Sequence, residues 1–117
     1  MSRHDRLYLN DIRQSCEKIL SRLEHLDRNL LEEDWVLRDA LLHNLEIIGE
    51  AAKCVSESTK VRHPEVPWRK IAAMRDVLAH HYFGVDMDVV WDAIQNRIPE
   101  LHERICAICQ EGDGAGP

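Results

Sequence analysis

The sequence predicts an all-α fold, a bundle of about five helices, on three observations. Apolar residues recur at steps of three and four through most of the 117-residue chain, which is the spacing of one face of a helix. No stretch alternates apolar and polar residues as a half-buried strand does. Pro64, Pro67, Gly84 and Pro99 fall between the periodic stretches, where helices are expected to end or restart.

Two long helices are predicted in the first half. The first runs from about Arg6 to Leu30 with one apolar face. The second runs from about Glu33 to Glu57 and has two apolar stripes, one of Leu37, Leu41, Leu45, Ile48, Ala52 and Val55 and one of Val36, Ala40, Ile47, Ala51 and Cys54. A helix that is apolar on two sides is either central in a bundle or shared with a second subunit. Gly49 in its interior costs about 1 kcal/mol relative to alanine, so we expect another helix to approach closely there.

A linker is predicted from Ser58 to Pro67, because its prolines cannot continue a helix. Pro67 is well placed to start a third helix, from Trp68 to about His80. Gly84 ends that pattern and is expected to supply a left-handed residue after it.

The last two helices are predicted around Pro99. Asp86 is the expected N-cap of a fourth helix that runs through Ile98, and Pro99 breaks or restarts it ahead of a short fifth helix with Leu101 and Ile108. Residues 1–110 therefore form one predicted domain, and the glycine-rich residues 111–117 a flexible tail.

Bulk properties indicate an ordinary globular protein. Hydrophobic residues make up 44% of the chain and charged residues 31%. No segment approaches the roughly 20 apolar residues that a membrane helix needs, so no membrane partner is expected. Residues 1–6 are charged and lack the apolar segment of a secretory signal, which predicts a cytoplasmic location.

The four cysteines predict neither a metal site nor a disulfide framework. Cys16 and Cys54 lie among apolar neighbours at helical spacing and resemble small core residues. Cys106 and Cys109 form one C-x-x-C, but a structural zinc site needs four ligands and no second pair is near in sequence. We expect inert thiols, no metal and no cofactor.

The net charge of −6 argues against a nucleic-acid partner, but its distribution softens that argument. Residues 27–50 are strongly acidic, whereas residues 60–81 are basic and contain three histidines, His63, His80 and His81. A solvated surface with chance asymmetry explains the same pattern.

Residues 74–83 contain the candidate chemistry: a cation, Arg75, a titratable base, His80, and a phenol, Tyr82. Asp76 is four residues before His80, so its carboxylate can orient the imidazole and raise its pKa. Arg75 and His80 lie about 140° apart around an ideal helix. They converge only if the helix unwinds near His80 or a second copy of the motif faces the first.

These residue types suit metal-free cleavage of RNA. A histidine of near-neutral pKa can take the proton of the 2′-hydroxyl or protonate the leaving 5′-oxygen. An arginine can clamp the phosphate and stabilise its extra charge. Each residue alone also has a structural explanation: Arg75 in an ion pair with Asp76 or a nearby carboxylate, His80 at a helix C-terminus, Tyr82 in the core. Their joint spacing favours the chemistry.

The motif R-x4-H-x-Y, formed by Arg75, His80 and Tyr82, resembles the signature of HEPN-domain ribonucleases. More narrowly, the chain resembles the HepT-like family, in the ordered segments 45–52, 66–68, 74–86, 90–94 and 98–101. The resemblance extends from about residue 5 to residue 109.

This resemblance implies an antiparallel HEPN bundle and a homodimer in which two motifs line one cleft. It implies the toxin of a toxin–antitoxin pair, a metal-independent RNase that cleaves tRNA or mRNA. Arg75 and His80 would be catalytic, with Asp76, His81 and Tyr82 supporting them, and His81 leaves open which histidine transfers more protons. The implied antitoxin is a minimal nucleotidyltransferase that transfers AMP to Tyr82.

Two other classes of function remain open. One is a non-catalytic HEPN module that binds nucleotide or pairs with a nucleotidyltransferase. The other is a helical adaptor without a nucleic-acid role, which the acidic net charge favours.

Overall fold

The computed structural model describes the backbone of residues 1–79 and 87–114 and the side chains of residues 1–75 and 87–111. Within these ranges every regular element is a helix, which confirms the all-α prediction. The elements are α1 (Arg3–Leu23), α2 (Arg28–Glu33), α3 (Trp35–Cys54), α4 (Glu57–Arg62), α5 (Trp68–Ala79), α6 (Met87–Asp92), a π-helical turn (Ala93–Arg97) and α7 (Ile98–Gly114).

The long first helix predicted from Arg6 to Leu30 is wrong, because the chain turns between α1 and α2. Asp27 ends the turn by accepting a hydrogen bond from the backbone N–H of Leu30 at 2.7 Å, which caps α2. Leu26 lies within the turn and is buried. The apolar spacing therefore continues across the turn between α1 and α2, and only the N-cap residue Asp27 marks the turn.

The segment predicted as a linker contains a short helix, α4, which is tied to the start of α1 by a buried carboxylate. Oδ1 of Asp5 accepts the backbone N–H of Ser56 at 2.9 Å, and Oδ2 accepts the hydroxyls of Ser56 at 2.5 Å and Thr59 at 2.6 Å. Burial raises the pKa of Asp5, but these hydrogen bonds outweigh it, and the pKa lies below its ordinary value. Local sequence pattern does not predict α4, because the carboxylate that fixes it belongs to the first turn of α1, 51 residues before Ser56.

Replacing Asp5 with alanine is expected to lower the free energy of unfolding by about 2–3 kcal/mol, because buried donors lose their acceptor. The folded-state pKa is below the unfolded one, so this stabilisation is complete above the unfolded pKa and is lost as the pH falls through the folded value. Urea unfolding between pH 7 and pH values below about 4 measures it. The exposed Asp39→Ala variant is the control. Equal pH slopes for wild type and Asp5→Ala would contradict this role.

α3 lies at the centre of the bundle, packed against α1 and α5, while α1 also packs against α7. The first apolar stripe of α3 faces this core, and its buried members are Leu41, Leu45, Ile48, Ala52 and Val55. The second stripe differs. Val36, Ala40 and Cys54 are exposed, Ile47 is partly buried and only Ala51 is buried. Within one chain, the second stripe therefore lies largely at the surface.

Of the two prolines that frame the second half, Pro67 starts a helix as predicted, whereas the helix predicted to break or restart at Pro99 passes through it after a π-helical turn. The carbonyl of Pro67 accepts the N–H of Ile71 at 3.1 Å, so α5 starts where predicted. α7 begins at Ile98, directly after the π-helical turn, and Pro99 is its second residue. Proline has no N–H and its ring crowds the carbonyl four residues earlier, and a widened turn accommodates both.

α7 continues to Gly114, into the segment 111–117 predicted as a flexible tail. The predicted roles of Gly84 and Asp86 fall outside the described residues. No helix in the described part of the chain is long and apolar enough to span a membrane.

The four cysteines, all within the described residues, form no disulfide, but only one of the two core assignments holds. Cys16 is fully buried, and burial raises the pKa of its thiol to about 12, as expected for an inert core residue. Cys54 is exposed, so its assignment to the core was wrong. It belongs to the second stripe of α3, which faces outward.

Candidate active site

Arg75 extends from α5 towards α3 and pairs with a carboxylate there. Its Nε lies 2.6 Å from Oε2 of Glu50, and its side chain is 35% exposed. The sequence allowed an ion pair of Arg75 with Asp76 or with a nearby carboxylate, and Glu50 is such a carboxylate. The pair uses Nε, so in this arrangement the two terminal amino groups can still grip a phosphate in the bidentate manner of guanidinium groups.

Gly49 brings the backbone of α5 directly against α3 at this point. A Cβ placed on Gly49 would lie 2.8 Å from Cβ of Arg75, 3.2 Å from its backbone nitrogen and 3.2 Å from the carbonyl oxygen of Ile71. The close approach predicted at this glycine is confirmed. The position of Arg75 is thus fixed by backbone packing as well as by the ion pair.

A cavity of about 370 Å³ opens beside Arg75 between α1, α3 and α5. Its lining consists of Tyr8, Asp11, His43, Glu46, Ile47, Glu50, Ala51, Cys54 and Arg75. Three of these residues are acids and one is an arginine, so the wall formed by the described residues repels phosphate except at Arg75. We call this space the arginine cavity.

The arginine cavity contains two residues that the sequence analysis missed, Tyr8 and His43. His43 follows the spacing of Ile47, Glu50 and Cys54 along one face of α3. That spacing was available in the sequence. It was overlooked because the second stripe was defined by apolar residues alone.

A second cavity, of about 530 Å³, lies beside the start of α5 and is basic. It is lined by four cations, Lys53, Lys60, Arg69 and Lys70, and by one acid, Glu57. We call it the basic groove. Three of its cations belong to the basic segment 60–81 of the sequence. Part of the positive charge of that segment is therefore gathered on one surface.

Of the predicted site residues, the structure places Arg75. His80, His81, Tyr82 and the side chain of Asp76 lie outside the described residues. The contact between Asp76 and His80 and the convergence of Arg75 with His80 therefore stay predictions.

Comparison with known proteins decides the family. The protein-family model described as "Ribonuclease HepT-like" matches residues 12–108. The chain belongs to the HepT-like ribonuclease family.

Curated relatives agree with this assignment. The chain is 41% identical over 106 residues to a "Putative RNase" of Caldanaerobacter subterraneus subsp. tengcongensis, covering 91% of this chain and 95% of that protein. It is 42% identical over 105 residues to the "Probable ribonuclease HepT" of Thermococcus cleftensis, covering 86% of this chain and 92% of that protein. A "Gamma-glutamylcyclotransferase and putative RNase" of Methanocaldococcus jannaschii is 36% identical over 97% of this chain but only 51% of its own length. No solved structure matches the chain.

Proposed function

We propose that this protein is a metal-independent endoribonuclease, the toxin of a toxin–antitoxin pair that acts in the cytoplasm on tRNA or mRNA. The observation that carries the proposal is Arg75. This motif arginine, in a chain of the HepT-like ribonuclease family, is partly exposed and lines a cavity instead of lying deep in the core.

The proposed reaction needs proton transfer and charge stabilisation. The 2′-oxygen attacks the adjacent phosphorus as its proton leaves, and the 5′-oxygen departs with a proton, which yields a 2′,3′-cyclic phosphate and a 5′-hydroxyl. His80 transfers these protons, with Asp76 orienting its ring and His81 as the second titratable group. Arg75 stabilises the negative charge that builds on the phosphorane.

A homodimer is proposed to complete the site. The outward stripe of α3 supports it, because exposed apolar residues such as Val36, at 59% exposure, favour a partner surface. The acidic wall of the arginine cavity supports it as well, since Arg75 is the one arginine or lysine that the described residues of a single chain place there. The motif of a second chain would supply the missing positive charge and relieve the 140° separation expected between Arg75 and His80.

The RNA backbone is proposed to follow the basic groove to Arg75. Lys53, Lys60, Arg69 and Lys70 line a single cavity at the start of the helix that carries Arg75. Cations placed along a surface neutralise successive phosphates and give salt-dependent binding without sequence preference. The net charge of −6 is compatible with this, because binding depends on local charge.

Inactivation is proposed to occur at Tyr82, through transfer of AMP by a minimal nucleotidyltransferase antitoxin. An AMP group would add bulk and negative charge beside Arg75 and His80. Both effects oppose RNA binding.

The purified chain, incubated with RNA in the presence of EDTA, is expected to leave 2′,3′-cyclic phosphate ends. Replacing His80 with alanine is expected to lower the rate by about 10²–10⁴-fold, because proton transfer is lost. The matched control is His25→Ala, an exposed histidine in the turn after α1. Equal cleavage by wild type and His80→Ala would reject the proposed mechanism.

One observation favours a second candidate, a non-catalytic HEPN module that binds nucleotide or a nucleotidyltransferase. Arg75 is already paired with Glu50, as a purely structural arginine would be. This candidate predicts that no cleavage occurs and that nucleotide or the partner enzyme binds equally well to His80→Ala. The cleavage assay therefore separates the two.

A further inference from the structure

Three side chains of types that can bind a metal ion form a cluster between α1 and α7, away from the arginine cavity. Nε2 of His102 lies 3.0 Å from Oε2 of Glu17 and 3.4 Å from Sγ of Cys106. The three ligand atoms all lie within 4.8 Å of one another. His102 and Cys106 are one turn apart on α7, and Glu17 faces them from α1.

We propose that Glu17, His102 and Cys106 bind one zinc ion. Zinc is held at about 2.0 Å by histidine nitrogen and carboxylate oxygen and at about 2.3 Å by thiolate sulfur, in a tetrahedron. Those bonds place neighbouring ligand atoms about 3.3–3.6 Å apart. The two contacts to His102 need to widen by only a few tenths of an ångström. The carboxylate of Glu17 and the thiol of Cys106 need to move closer together, and rotation of the Glu17 side chain can achieve this.

The ligand types select the metal. A nitrogen, a sulfur and an oxygen together favour a borderline-soft cation such as Zn²⁺, whereas Mg²⁺ and Ca²⁺ need oxygen ligands throughout. Glu17 is exposed, and His102 and Cys106 are partly exposed, so the ion can enter from solvent. With three protein ligands, the fourth position is available to water.

The structural consequence is a cross-link between the first and last helices. Zinc bound to the folded chain stabilises it in proportion to the logarithm of its concentration over its dissociation constant. None of the three residues lines the arginine cavity or the basic groove. The site is therefore independent of the proposed cleavage mechanism, and its failure would leave that mechanism untouched.

The C-x-x-C motif alone does not reveal this site. Cys106 contacts His102 because the two residues lie one turn apart on α7. The third ligand, Glu17, lies on α1, 85 residues before His102 in sequence. The sequence-based expectation of no metal rested on the lack of a second cysteine pair, and it did not consider a mixed ligand set.

Titration of the full chain with Zn²⁺ against a chromophoric chelator, under reducing conditions, tests the proposal. We expect one ion per chain. Loss of an outer-shell partner alone weakens metal sites about 10–100-fold, so Cys106→Ser, His102→Ala and Glu17→Gln are each expected to weaken binding at least that much. The matched controls are Cys54→Ser and His25→Ala, an exposed cysteine and an exposed histidine outside the cluster.

Two further measurements make the result specific. Co²⁺ in place of Zn²⁺ should give a thiolate-to-metal charge-transfer band in wild type that Cys106→Ser lacks, and Zn²⁺ should raise the melting temperature of wild type but not of Glu17→Gln. Glu17→Gln changes an exposed, nearly isosteric side chain, so it keeps the test valid if Cys106→Ser folds poorly. Failure of wild type to compete with the chelator for zinc would overturn the proposal. Binding that is equal in wild type and the three ligand variants would overturn it too.

Discussion

Replacing Arg75 with alanine is expected to lower the rate of RNA cleavage by about 10²–10³-fold, the usual cost of removing one group that stabilises transition-state charge. The physical reason is that Arg75 is the only cation among the residues that line the arginine cavity in the described part of the chain. No described neighbour can replace its charge. The measurement is single-turnover cleavage of a labelled RNA, with folding checked by circular dichroism.

Two companion variants separate charge from geometry at this position. Arg75→Lys keeps the charge but loses the planar fork, so it should recover only part of the rate. Glu50→Gln keeps a hydrogen-bond acceptor near Nε but removes the ion pair, so its effect should be smaller than that of Arg75→Ala. Arg22→Ala, at the far end of α1, is the control. A rate for Arg75→Ala within twofold of that control would remove Arg75 from the mechanism.

The fold class was predictable because helical periodicity is a local property of the sequence. The core stripe of α3 shows this well, since Leu41, Leu45 and Ile48 were placed correctly from spacing alone. The helix ends were less predictable. Leu26 keeps the apolar spacing across the turn between α1 and α2, and only the cap at Asp27 marks the break. Periodicity groups residues on one helix face, and it does not report whether the chain turns between them.

The tertiary contacts of the site were harder to predict, because they join residues far apart in sequence. The motif marked Arg75 as a candidate site residue. It contained no information about Glu50, which is 25 positions earlier and is brought to Arg75 by the packing of α3 on α5. The same holds for Asp5, whose hydroxyl partners lie at the start of α4. Long-range polar pairs depend on helix packing that no local pattern records.

Gly49 is the exception, since a local anomaly correctly predicted a long-range contact, and it leads to the second large effect. Glycine to alanine inside a helix usually stabilises a protein by about 1 kcal/mol. At Gly49 the sign should reverse. The new methyl group would meet Cβ and the backbone nitrogen of Arg75 and the carbonyl of Ile71, which cannot rotate away. Overpacking of this kind costs about 1–3 kcal/mol.

The comparison variant for Gly49→Ala is Ala107→Gly, an exposed position on α7. Both variants should lower the free energy of unfolding in urea, although they exchange the same two residues in opposite directions. Only Gly49→Ala should also lower RNA cleavage, because separating α3 from α5 moves Arg75, and small misplacements of a catalytic group cost up to about 100-fold. A stabilising substitution far from this contact can then be added to Gly49→Ala. If it restores stability but not cleavage, the glycine sets the position of Arg75. If Gly49→Ala instead stabilises the protein as helix propensity alone predicts, the contact between α3 and α5 is looser than the structure places it.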